Sequence, residues 1–358
     1  MPPLTQSTTL VFDVLGLTPA QRSEYYRTLS VDQFAGLLAC VRRDLGTPYA
    51  LWQDDPVGFI NQILGVFLTR KQTALSRSVE ANVRTVSPAS HSVGKTFTAA
   101  MLCCWFGCVH PAADTQIVTT APRMRQVKTL LWPHIHAVHA SANLPGEVDL
   151  VQWKMPERKS PMAYGFAAPD YDEDAVQGIH AEHLFIVVDE SGGISHTLGK
   201  ALESITSGAH VRVLAIGNPP TDEEGSWFEQ RTTSELWNVV RIAWEDTPNY
   251  VLRNGAGEII ERSDEFVPDK VKRNLVDEQW VKDQIVEFGE DSNFVEARVH
   301  ARFPKGSTNK TIPWSWIEAA LENEEPEPST WVRLGVDPAS DGGDELAISR
   351  SVGNVVTM

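Results

Sequence analysis

With 358 residues, 42% of them apolar, the chain has enough material for a buried core in one or two domains and is too apolar for a disordered protein. Its formal net charge of −16 argues against a protein that coats nucleic acid over its whole surface, so any DNA contact falls to a local basic patch. No apolar run reaches the ~18 residues of a membrane span, and "MPPLTQSTTLVFDVLG" lacks the basic start and cleavage site of a secretory signal, so no membrane contact and a soluble, intracellular protein are expected.

Residues 1–75 read as a helical lead-in. In "TPAQRSEYYRTLSVDQFAGLLACVRRDL" Thr18-Pro19 is a helix start, and Phe34, Leu37, Leu38 and Val41 recur at helical spacing. From about residue 83 short apolar strands alternate with helical stretches: "VRTVS", "TQIVTTA", "HLFIVVDE" and "VRVLAIGNPP". Strands separated by helices give a mostly parallel central sheet flanked by helices, an α/β fold, over residues 76–265. Beyond residue 250 the chain turns polar and helical. Residues 266–330 are a helical segment ending in the linker "ENEEPEPST", and a new strand, "WVRLGVDPAS", opens residues 331–358. Cys103, Cys104 and Cys108 crowd "MLCCWFGC", with Cys40 apart; lacking a second Cys or His pair at ligand spacing, they read as buried free thiols.

The stretch "SPASHSVGKTFTAAML" has the order strand, loop, helix of a phosphate-binding loop, with Gly94, Lys95 and Thr96 at its last three positions. In such a loop backbone N–H groups surround the phosphates, the lysine reaches the β and γ phosphates, and the hydroxyl coordinates Mg²⁺. The first glycine of the pattern is replaced by Ala89, so a glycine-marked loop with a solvated lysine stays open as an alternative. "LFIVVDE" ends in Asp189-Glu190, two carboxylates at the C-terminal edge of the sheet, where doubly wound folds bind ligands. An aspartate there can hold the Mg²⁺ shell and the glutamate can deprotonate water; the alternative is two solvated acids. "VRVLAIGNPP" stops at Gly217-Asn218-Pro219, where Asn218 is either a γ-phosphate sensor or an ordinary turn residue.

The run "HSVGKT", "VTTAPRMRQVKTLLW", "VQGIHAEHLFIVVDESGGI", "AIGNPP", "WEDTPN", "ARVHARFP" and "LGVDPASDGGDE", from about residue 56 onward, resembles the large terminase subunit of tailed bacteriophages. The resemblance implies a P-loop NTPase domain of the additional-strand type, followed by the start of an RNase H-like nuclease domain. It implies ATP and Mg²⁺ as cofactors, with Mg²⁺ or Mn²⁺ for the nuclease. Its partners would be double-stranded DNA, a portal protein and a small terminase subunit, engaged by a homo-oligomeric ring in the host cytoplasm. Carried over, Ser92, Val93, Gly94, Lys95 and Thr96 take the phosphates and Mg²⁺, Asp189 the metal, Glu190 the base and Asn218 the coupling. Gln72, in "LTRKQTAL", would read adenine, with an exposed helical glutamine as the alternative, and Arg123, Arg125 and Lys128 would contact the DNA backbone, with a solvated helix face as the alternative. Where the family often has a loop arginine this chain has His91, so the transition-state arginine falls among Arg123, Arg125 and Arg158, supplied in cis or from a neighbouring chain. Asp337 matches the first nuclease metal ligand. A two-metal cage needs carboxylates from several strands, and too few residues follow Asp337 for a domain of the usual ~50 residues or more, so a nuclease fragment that does not cut DNA is expected. A helicase-like ATPase and a non-catalytic nucleotide-binding scaffold are the alternatives.

Overall fold

The computed structural model describes residues 8–167, 179–206, 208, 210–221, 225–254, 256–263, 265–304, 331–337, 347–352 and 355–357. They fall into two compact units, Met1–Lys305 and Gly306–Met358. The first unit begins with helices α1 (Thr8–Leu15), α2 (Pro19–Thr28), α3 (Val31–Leu45), α4 (Pro56–Gln62) and α5 (Arg70–Ala81). Side chains fix where three of them start. Thr18, Ser30 and Thr69 accept from the backbone N–H of Gln21, Gln33 and Gln72, whose side chains reach back to the cap.

Next come β1 (Arg84–Pro88), α6 (Lys95–Val109), β2 (Thr115–Thr120) and α7 (Met124–Gln126), which passes through a π turn at Val127–Leu131 into α8 (Trp132–Ser141). β3 (Glu147–Asp149), β4 (Gln152–Lys154), β5 (Ala163–Phe166), β6 (His183–Val188), α9 (His196–Ser204), β7 (His210–Gly217), α10 (Trp227–Thr232) and β8 (Asn238–Val239) follow. The sheet order is β3-β4-β5-β2-β6-β7-β1-β8. The strands from β5 to β8 in that order pair parallel, while β3 and β4 are antiparallel at one edge. β7 stands between β1, which runs into the loop before α6, and β6, which ends next to Asp189, and that inserted strand is the arrangement expected of an additional-strand P-loop fold.

Alternation along β6 puts Leu184, Ile186 and Val188 in a core with Leu198 and Leu202 of α9 and Trp227 and Phe228 of α10. Phe185 and Val187 face the larger core on the other side. Both faces are covered, which is why the strand reads as one apolar run. Within the larger core α6 is buried on nearly every side, so Cys103, Cys104 and Cys108 are packing groups. Burial pushes the Cys104 thiol up to about 12. Trp105 donates its indole N–H to the Trp52 carbonyl at 2.8 Å, and α3 and α4 share this core through Leu37, Val41 and Phe59.

After β8 the chain forms a hairpin, β9 (Val251–Arg253) and β10 (Ile259–Arg262), before α11 (Asp269–Lys272), α12 (Glu278–Phe288) and α13 (Asn293–Arg298). The expectation of helix directly after residue 250 is corrected here. Gly257 sits at φ 81°, and the Asn254 side chain accepts from the N–H groups of Ala256 and Glu258, which closes a turn instead. The second unit has β11 (Val332–Asp337), β12 (Ala347–Val352) and β13 (Val355–Thr357) as an antiparallel meander, with Asp337 opposite Ala347. The linker at 322–330 and the acids Asp341, Asp344 and Glu345 lie outside the described residues. No described helix is long and apolar enough to cross a membrane.

At the N-terminal end of the sheet His110 stacks on His183, with centroids 4.0 Å apart and planes 13° from parallel, and His210 lies 5.1 Å from His183. Burial, then the charges of His183, His210 and Arg212, push His110 down to about 3. Unfolded, it titrates near 6.5. A folded value below the unfolded one means stability that is present above pH ~6.5 and lost as pH falls toward the folded value. A His110→Phe chain, which keeps the ring, is therefore expected to resist acid better than the parent, with a gap of roughly 2–3 kcal/mol at pH ~4.5. Melting curves recorded across that range check this, and parallel pH profiles for the two chains would remove His110 as the responsive group.

Candidate nucleotide site

The missing loop glycine is explained by what Ala89 does. Its N–H donates to the Gly217 carbonyl at 2.9 Å and it bridges to Ile242, so it still belongs to the sheet and needs no left-handed backbone. The left-handed positions come later, at Ser92 with φ 53° and Gly94 with φ 80°. At Gly94 a Cβ would also fall 2.3 Å from Gln72 Nε2, so that side chain would have to shift. Ser92 bears conformational strain of about 1–2 kcal/mol. Strain of that kind clusters where backbone N–H groups are aimed at a ligand.

Three strand ends meet this loop. Lys95, the first residue of α6 and nearly buried, donates through Nζ to Asn218 Oδ1 at 3.3 Å. Asn218, just past β7, donates through Nδ2 to the Ala89 carbonyl at 2.6 Å. Thr96 Oγ1 donates to Asp189 Oδ1 at 3.2 Å, and the Glu190 N–H donates to the same oxygen at 2.9 Å. Asp189 is 3% exposed, and burial, then the neighbouring Glu190 charge, push its carboxyl up to about 6 against the opposing pull of Lys95. Glu190 adopts φ 52°, a left-handed conformation, where the chain turns sharply out of β6. It lines a cleft of about 540 Å³ together with Asn218, Arg123, Gln126, Thr221 and Arg298.

Such a site offers a hydroxyl and a carboxylate as hard oxygen donors side by side. Mg²⁺ accepts few protein ligands and keeps the rest for water and phosphate, so this pair fits it. Among the described residues no cluster of three or more His, Cys, Asp or Glu side chains could hold a metal. Asp189 is costly to ionise as it stands, and a cation beside it would bring its pKa down.

The other expected site residues are distributed differently. Gln72 is buried behind the loop, its Oε1 accepting from Thr69 N and its Nε2 donating to the Val93 carbonyl at 3.1 Å. Both ends of its amide are thus engaged, the oxygen in the cap of α5 and the nitrogen in bracing the loop. Arg123 reaches the cleft, while Arg125 and Lys128 are exposed along α7 and the π turn and do not line it. Arg158 lies away from this cleft: its guanidinium donates to the carbonyls of Ala112 and Thr115 and to Gln116, at the N-terminal end of β2 and so at the opposite edge of the sheet. His91 packs edge-on against Trp280 of α12 at 5.7 Å. Burial, then the charges of Lys95 and Arg298, push it down to about 4, so it is neutral at pH 7. Arg298, Gln126 and Trp280 have no role in the sequence reading. Arg298 stood inside the quoted "ARVHARFP", but nothing in the linear order brings residue 298 beside residue 91.

No protein-family model matches the chain, and no curated protein matches it. Among solved structures it is similar to the large terminase ATPase domain of Thermus phage P74-26, at 15% identity and TM-score 0.49 over 69% of this chain and 98% of that one. It is similar to the large terminase of bacteriophage HK97 at 12% identity and TM-score 0.48, over 84% of this chain and 64% of that one. The large terminase of a thermophilic bacteriophage, in complex with ADP, is similar at 10% identity and TM-score 0.46, over 81% of this chain and 66% of that one.

Proposed function

We propose that this chain hydrolyses ATP to drive double-stranded DNA into a phage prohead, as a large terminase subunit. One observation carries the ATPase reading: Lys95 and Thr96 at the start of α6, Asp189 and Glu190 at the end of β6 and Asn218 at the end of β7 converge around one loop. The order of motifs from about residue 56 onward narrows the reading to a packaging motor.

In this reading the backbone N–H groups of Ser92 to Thr96 receive the phosphates at the start of α6, where the helix dipole favours negative charge. Lys95 leaves Asn218 to meet the β and γ phosphates. Thr96 and Asp189 would hold Mg²⁺, which when bound offsets charge on the phosphates. Glu190 orients a water in the cleft and takes its proton. Asn218, joined to both Lys95 and the Ala89 carbonyl, changes partner when Lys95 moves and so reports the γ-phosphate to the end of β7. Exposed Arg123, Arg125 and Lys128 contact DNA phosphates without reading sequence. Portal protein, small subunit and a homo-oligomeric ring complete the motor in the host cytoplasm. Asp337 is assigned to a nuclease metal site by resemblance alone.

The test is ATPase turnover with and without double-stranded DNA, joined to displacement of a third strand from a triplex as a measure of translocation. Stimulation by DNA and ATP-dependent displacement are expected. Hydrolysis indifferent to DNA, with no displacement, would rule out the motor. Asn218→Ala is expected to lose displacement far more than hydrolysis, with nucleotide affinity changed less than about tenfold, or ~1.4 kcal/mol. Parental displacement by that chain would remove Asn218 from the coupling.

A further inference from the structure

We infer that Arg298 is the cation that meets the transferring phosphate, supplied from within the same chain. The inference rests on the ATPase reading above. Phosphoryl transfer spreads negative charge over the equatorial oxygens, and a guanidinium aimed at them is a large part of the rate in NTPases of this class. His91, at the loop position where an arginine could serve, is held neutral by its surroundings and supplies no such charge. Arg158 is committed to the far edge of the sheet. Arg125 does not line the cleft.

Among the described residues two arginines line it, and they differ in how they are carried. Arg123 is exposed at the start of α7. Arg298 is half-buried at the last residue of α13, and its carbonyl accepts from the His91 N–H at 2.9 Å. The backbone that bears this guanidinium is therefore bonded to the phosphate loop itself. α13 is fixed further by Asn293 Nδ2 donating to the carbonyl of Thr221, another cleft residue, and by the Trp244 N–H donating to the Val299 carbonyl. A side chain that lines the cleft from such a frame starts beside the loop before nucleotide arrives, and a backbone fixed in advance is what electrostatic catalysis needs. The same frame ties the loop to the preceding segment: the Val276 N–H donates to the Ser92 carbonyl at 2.9 Å, and Trp280 packs on His91. Engagement of Arg298 by the phosphate would thus be felt by α12 and α13 together.

The experiment compares the full chain with Arg298→Ala, Arg298→Lys and Arg123→Ala in Mg²⁺-ATP turnover, ADP affinity and trapping of ADP with aluminium fluoride, a mimic of the transferring phosphate. Arg298→Ala is expected to lose about 10³-fold in kcat and to lose trapping, with ADP affinity within about threefold of the parent, which also reports that the chain is folded. Arg298→Lys keeps the charge without the fork and should recover only part of the rate. Mixing Arg298→Ala with Lys95→Ala chains should restore nothing, because each chain needs its own Arg298. Restored turnover in the mixture would make the arginine a gift between chains and overturn the inference. So would Arg298→Ala turnover close to the parent's while Arg123→Ala carries the loss. In either case the ATPase reading would stand, whereas a parental chain that binds no ATP would end both.

Discussion

Glu190→Gln is expected to bind ATP as the parent does and to hydrolyse it about 10³-fold more slowly, a loss of roughly 4 kcal/mol of transition-state stabilisation. Glutamine keeps the size and the hydrogen-bonding reach of glutamate but cannot take a proton from water. The backbone turn at φ 52° is not set by the carboxylate oxygens, and the one hydrogen bond of Glu190 to Asp189 comes from its main-chain N–H, so the substitution leaves the geometry around Asp189 in place. Affinity for ATP and turnover should therefore separate cleanly. Single-turnover hydrolysis with a parallel binding titration measures both, and parental turnover would take the role of base away from Glu190.

Lys95→Ala is expected to fail one step earlier. Hydrogen bonds from a charged donor are worth about 1.5–3 kcal/mol each, so removing the ammonium should weaken ATP binding by at least ~10-fold and up to ~100-fold or more. It also leaves Asn218 Oδ1 without the Nζ donor at 3.3 Å and so loosens a contact that spans the loop and β7. Because Lys95 sits at the first turn of a helix buried on nearly every side, the fold itself should tolerate the change. Equilibrium titration with a fluorescent ATP analogue reads the result; unchanged affinity would mean that the lysine does not reach the phosphates.

The strands that lead to the candidate site are legible because each is buried on both faces and so reads as an apolar run closed by polar residues: β6 by the pair Asp189-Glu190, β7 by the single Asn218. β3, β4 and β8 are two or three residues long and mostly polar on the page, and their pairing is created by neighbours distant in sequence. The additional-strand order was anticipated from resemblance, but only the register of β7 between β1 and β6 makes it physical. Ala89 looked like a defect against a pattern of glycines. It is a sheet residue, and the conformational demand had moved to Ser92 and Gly94. For Gln72 the sequence leaves a solvated helical residue and an adenine reader both open, and it does not reveal that the amide bonds Thr69 and Val93. Arg298 was invisible for the same reason: its meaning depends on a hydrogen bond to His91, far away along the chain.

The most direct test of the central claim, that these strand ends form one working nucleotide site, is phosphate release from ATP by the purified chain. The account predicts turnover that requires Mg²⁺, stops on its chelation, and falls with Glu190→Gln and with Lys95→Ala by the two different routes described above. A folded parental chain that neither binds nor hydrolyses ATP at millimolar concentration in the presence of Mg²⁺ would contradict it.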